Sequence, residues 1–106
     1  MKKIKIRLEY RCFPIWLYDE KDNFINNDLP NRLLNDKDIE QQCIELQKKF
    51  DELYLDNGID FKYIGFNDSD KRKEFLNKIT SVESNLQEKV GFDFEIENDV
   101  KLEDLW

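Results

Sequence analysis

The sequence predicts an α+β fold: a two-layer sandwich in which a sheet of about 3–5 strands is covered by two helices. Two segments carry one apolar stripe at helical spacing, and the stretches between them alternate apolar and polar residues with a period of two. Each helix has a single greasy side, so each needs a surface to lie on, and a sheet supplies it. At 106 residues the chain has the size of one domain spanning 1–106 and can bury one core, not two.

The elements follow in order. Ile4, Ile6, Leu8 and Tyr10 alternate with Lys5, Arg7, Glu9 and Arg11, the pattern of a half-buried strand. The run from Cys12 to Tyr18 is nearly all apolar, and Pro14, which cannot donate to a ladder, marks an edge, a bulge or a break in it. Asp19-Glu20-Lys21-Asp22-Asn23 reads as a turn, because Asp and Asn bond their own backbone. Phe24-Ile25 could return as a short strand, and Asn26 to Pro30 is a loop.

A helix is expected over residues 36–56, with Ile39, Cys43, Leu46, Phe50 and Leu53 as its core stripe. Asp36 or Asp38 caps its start, Asp38 and Gln41 have the spacing of a capping box, and Asn57-Gly58 stops it. Ile59, Phe61 and Tyr63 then alternate as a strand running through Phe66. Asp68 or Ser69 caps a second helix whose stripe is Phe75, Ile79, Val82, Leu86 and Val90, and Gly91 ends it. Phe92, Phe94 and Ile96 alternate with acids as a last strand, after which Val100, Leu102, Leu105 and Trp106 dock on the body or hang free.

Charged residues make up 39% of the chain, more than a core can hold, so most coat the surface. The net charge of −7 does not suit a nucleic-acid binder, whose affinity comes from neutralising phosphates, but suits a basic protein partner. Acidity of this size also serves solubility alone. Its distribution is uneven: residues 1–18 carry five basic groups and one acid, and residues 92–106 carry six acids and one lysine. No apolar run approaches the roughly 18 residues of a membrane span, and no apolar stretch follows the basic start, so the expected location is the cytoplasm. In that reducing setting Cys12 and Cys43 are expected to be buried small hydrophobes and not a disulfide.

Chemistry is hard to find. The chain has no His, which removes the commonest general base, the commonest metal ligand and any Ser-His or Cys-His nucleophile. Gly58, Gly65 and Gly91 are too scattered to form a phosphate-cradling loop. Asp56 to Asp60 and Asn67 to Asp70 lack the spacing of a calcium loop and read as a helix stop and a helix cap. No catalytic residue, cofactor or metal site is therefore assigned. What remains is surface. Phe13, Trp16 and Tyr18 beside the acidic turn combine aromatic anchors with charge, as binding hot spots do. The same aromatics would equally serve as core and as cover for a sheet edge. The candidate partner-binding residues are Trp16, Asp19, Glu20, Asp22, Glu95, Glu97 and Asp99.

The run from Lys5 to Glu20, with Asn27-Asp28-Leu29-Pro30 and Tyr63-Ile64-Gly65-Phe66, resembles small proteins of low-GC bacteria. Some of these are similar to immunity proteins of polymorphic or contact-dependent toxin systems. The resemblance implies a cognate toxin, often a nuclease, neutralised by a tight one-to-one complex that blocks its active site. It carries no binding residues over. Two other functions stay open: an acidic DNA mimic of anti-restriction type, and a small enzyme using carboxylates or Cys12.

Overall fold

The computed structural model describes residues 1–100. Four strands form the main sheet: β1 (Lys2–Ile6), β2 (Ile15–Tyr18), β3 (Phe24–Asn26) and β6 (Phe94–Asn98), in the order β3-β2-β1-β6. β1 pairs antiparallel with β2 and parallel with β6, so the two ends of the described chain lie side by side, with β6 at an edge of the sheet. The helices are α1 (Lys37–Asp51) and α2 (Ser69–Val90), and a separate two-stranded hairpin, β4 (Tyr54–Asp56) with β5 (Phe61–Tyr63), stands between them in sequence. The α+β class is thus present, with both helices sharing a core with one face of the four-stranded sheet.

That core follows from the two periodicities. Ile4 and Ile6 of β1 and Ile15 of β2 are fully buried, as are Ile39 and Cys43 of α1 and Leu86 of α2. They belong to one contiguous cluster, with Leu17 and Ile96 packed against it. The intervening side chains Lys3 and Lys5 necessarily point to the opposite, solvent-facing side of the sheet. Burial pushes the Cys43 thiol up to about 12, which leaves it an inert hydrophobe, and both cysteines are free thiols.

Helix ends match local chemistry. The Asp36 carboxylate accepts from the backbone N–H groups of Asp38 (3.1 Å) and Ile39 (3.2 Å), satisfying donors that a helix start leaves open. The expected capping box does not form: Asp38 accepts instead from the Gln42 side chain at 3.2 Å. Asp68 caps α2 through the Asp70 N–H at 2.8 Å. Gly91 ends α2 at φ 62°, a left-handed conformation that glycine adopts without a Cβ clash. Among the described residues no helix is long and apolar enough to cross a membrane.

Further sequence expectations need correction, the first strand among them, which stops at Ile6 before Leu8 and Tyr10. The first helix ends at Asp51, not residue 56, and Leu53 reaches the core from beyond it. Asn57-Gly58 turns a hairpin where a helix stop was expected: the Asn57 carboxamide oxygen accepts from Ile59 and Asp60 N–H groups, and Gly58 sits at φ 84°. The aromatic residues of this segment explain the switch. Tyr54 stacks on Phe61 with centroids 5.3 Å apart and an interplanar angle of 8°, and Tyr10 packs on both rings. The strand expected to run to Phe66 stops at Tyr63. The expectations for Leu102, Glu103, Asp104, Leu105 and Trp106 lie outside the described residues.

Candidate functional site on the open face of the sheet

The face of the sheet turned away from the helices gathers most of the sequence-predicted residues. Register places Lys5 opposite Trp16 on one side and Glu97 on the other, and Lys3 opposite Tyr18 and Glu95. Because paired residues share a face, Trp16, Tyr18, Glu95 and Glu97 all line this surface. Phe24 joins them from β3, opposite Tyr18. Its ring lies 5.8 Å from the centroids of both Trp16 and Tyr18. The Arg7 guanidinium covers the Trp16 ring at 5.6 Å and donates to the Tyr18 hydroxyl at 3.1 Å, while the Trp16 indole N–H donates to the Arg7 carbonyl at 3.2 Å.

The acidic turn folds onto the same face. Asp19 holds the turn: its carboxylate accepts from the N–H groups of Lys21 (2.9 Å) and Asn23 (2.8 Å) and from the Asn23 side chain. Asp22 occupies the left-handed region at φ 68°, which Asp tolerates better than most residues. From there its carboxylate reaches Lys5 at 3.1 Å and Lys3 at 3.7 Å. Glu97 approaches the same two ammonium groups from β6, at 3.3 Å from Lys3 and 3.7 Å from Lys5. Two lysines thus lie between two carboxylates and tie the hairpin tip across β1 to β6.

The candidate residues therefore divide. Trp16, Asp22, Glu95 and Glu97 come together on the open face. Asp19 supports the turn backbone. Glu20 lies at the tip, 3.7 Å from the N-terminal amine. Asp99 follows β6, exposed, with its N–H donating to the Ile6 carbonyl at 2.9 Å. Phe13, the third residue of the aromatic run, packs on the core instead of the open face. The sequence reading missed that Lys3, Lys5 and Arg7 share this surface, although the alternation of the first strand places them together. Asp22 and Glu97 are consequently neutralised, and the face is not a row of bare acids. Glu95 and Asp99 form no ion pair among the described residues, so the open negative charge lies along the β6 flank.

These contacts make stability pH-dependent at the extremes. The bond from Lys5 holds the Asp22 carboxyl below its ordinary 3.8, the bond from Lys89 does the same for Asp36, and the Asn23 N–H does it for Asp19. Depressed carboxyls contribute stability that is whole above 3.8 and is lost as pH falls through their folded values. The bonds from Glu97, Asp22 and Asp36 raise Lys3, Lys5 and Lys89 above 10.5, so their contribution is whole below 10.5 and is lost as pH rises further. Thermal unfolding followed by circular dichroism should give a Tm that is flat between these limits and falls outside them. About 1 M salt should flatten both shoulders, because the groups are solvent-screened.

A profile of the family described as Serratia CdiI immunity protein-like matches residues 2–99, nearly the whole chain. The chain belongs to this family. No curated protein matches it. Membership of the CdiI immunity protein-like family implies a toxin as the partner. The matched span contains every strand and helix described above, and with them the whole open face of this CdiI-like protein.

Proposed function

We propose that this CdiI-like protein neutralises one cognate toxin domain by forming a one-to-one complex that covers the toxin's active site. Its role is to bind, not to catalyse. The observation that carries the reading is the open face, where an aromatic cluster of half-buried Trp16 and Tyr18 and exposed Phe24 lies beside the acidic β6 flank. Aromatic anchors ringed by polar groups are the usual make-up of an energetic interface centre. The partner-binding residues in this proposal are Trp16, Asp22, Glu95, Glu97 and Asp99 on and beside the face, with Asp19 and Glu20 shaping the tip. Glu95 and Asp99 meet cations of the toxin. That fits a basic cleft and hence a nuclease, whose cleft must attract phosphates. The complex would form in the cytoplasm, where a nuclease finds its substrate.

The test uses the toxin domain that co-purifies in stoichiometric amount with the tagged chain from its native cells. Stoichiometric addition of the purified protein should abolish the domain's nuclease activity on RNA or DNA. The association rate constant should fall steeply as salt rises from about 0.05 M to about 0.5 M. A rate constant unchanged over that range would remove electrostatic steering from the mechanism. Absence of any complex would remove the inhibitor reading itself.

A further inference from the structure

The edge strand β3 is unusual for a chain in which 39% of residues are charged. Edge strands are ordinarily guarded by charge, proline or a covering element, because an open edge invites pairing. β3 reads Phe-Ile-Asn, all three residues are exposed, and among the described residues nothing pairs with its outer side. Phe24 is 55% exposed and Ile25 51% exposed, and the two part at an irregularity in the β2–β3 pairing, Phe24 lying opposite Tyr18 and Ile25 lining a groove with Leu17. Phe24 belongs to the open-face aromatic cluster. That groove, of about 430 Å³, is lined by Ile25 together with Leu34, which is 43% exposed, and by Leu17, Leu29 and Phe94.

The charges at this groove identify what it takes. The Asp28 carboxylate accepts from the Leu29 N–H at 2.7 Å and keeps its negative charge, and Arg32 is paired with Asp93. Lys2, which makes no ion pair among the described residues, offsets Asp28, so the rim carries no net charge. A rim without net charge favours neither sign, in contrast to the acidic β6 flank, whereas an apolar side chain would cover the apolar lining.

We infer that β3 is a two-sided anchor that the cognate toxin grips, with one apolar side chain of the toxin seated between Ile25 and Leu34 and a second packed on Phe24 and Trp16. The inference rests on the inhibitor reading above. β3 forms the shared wall of both sites, so one loop of the toxin crossing this edge meets both. The contacts at Phe24, Ile25 and Leu34 then lie outside the acidic flank and are insensitive to salt.

The experiment measures the affinity of the full chain for the co-purified toxin domain by isothermal titration. The variants are Ile25→Lys and Leu34→Lys, with Ile25→Thr as a strand-compatible substitute should a lysine disturb folding. Each lysine variant is expected to bind roughly tenfold to a hundredfold more weakly, and Ile25→Thr, which adds no charge, to lose affinity by the same factor at low and high salt. Wild-type affinity in folded Ile25 and Leu34 variants, with the unaltered chain still binding tightly, would overturn the anchor and leave the inhibitor reading standing. Failure of the unaltered chain to bind would remove both. Sedimentation of the protein alone gives the remaining outcome: a dimer that Ile25→Lys dissociates would make a second copy the occupant and overturn the assignment to the toxin.

Discussion

Ile4→Ala should lower the unfolding free energy by about 2–5 kcal/mol, read as a shift in the denaturant midpoint with an unchanged slope. Ile4 is fully buried in the central strand and lies opposite Leu17 on one side and Ile96 on the other. Truncation removes transfer energy and leaves a cavity beneath two helices that close packing prevents from collapsing fully. A domain of this size is stable by only about 5–15 kcal/mol, so the loss is a large share of the total. The position matters for function as well. β1 holds β2 and β6 together, and with them the aromatic and acidic parts of the open face. Ile4→Val, which removes one methyl group, should cost about 0.5–1.5 kcal/mol and leave binding intact. A midpoint for Ile4→Ala equal to that of the unaltered protein would show that the sheet centre does not carry the core as described.

Trp16→Ala should weaken the toxin complex by roughly thirtyfold or more while the protein stays folded. The indole is held from three sides: by its own N–H bond to the Arg7 carbonyl, by the Arg7 guanidinium and by Phe24. A side chain fixed before binding loses little rotamer entropy on contact, which is what an anchor requires. The loss should be nearly independent of salt. Glu95→Lys should act in the opposite manner, slowing association at low salt and converging with the unaltered protein at high salt. Comparing the two in one titration series separates anchor from steering. Should folded Trp16→Ala bind as tightly as the unaltered chain, the open face would not be the contact surface.

The two expectations differ in how far the sequence alone supports them. Ile4 is legible as core from its alternation with Lys3 and Lys5, and the stripes from Ile39 to Phe50 and from Phe75 to Val90 are legible as helices, because both patterns are local. Asp36, Asp68 and Gly91 are legible as caps for the same reason: a cap acts on amides or carbonyls a few residues away. Trp16 is legible as a candidate anchor, but not with its supports, since Arg7 and Phe24 reach it from neighbouring strands. Asp22 appears from sequence to be a free surface acid, yet it spends its charge on Lys3 and Lys5. Nothing within a few residues of Asp22 signals that, because the pairing depends on the turn folding back over β1.

Periodicity and contacts a few residues apart suffice for the α+β class, the two helical stripes and the character of most core positions, and they narrow the helix caps to Asp36 or Asp38 and to Asp68 or Ser69. Only the tertiary structure decided the rest. The segment from Tyr54 to Asp60 could end a helix or turn a hairpin, since Asn-Gly serves both, and Tyr10 packing on Tyr54 and Phe61 accompanies the hairpin. The parallel pairing of β1 with β6 joins opposite ends of the described chain. A two-residue period fixes which face a side chain takes and says nothing of which strand lies beside it, so the gathering of aromatics, lysines and acids on one surface is settled only by strand order.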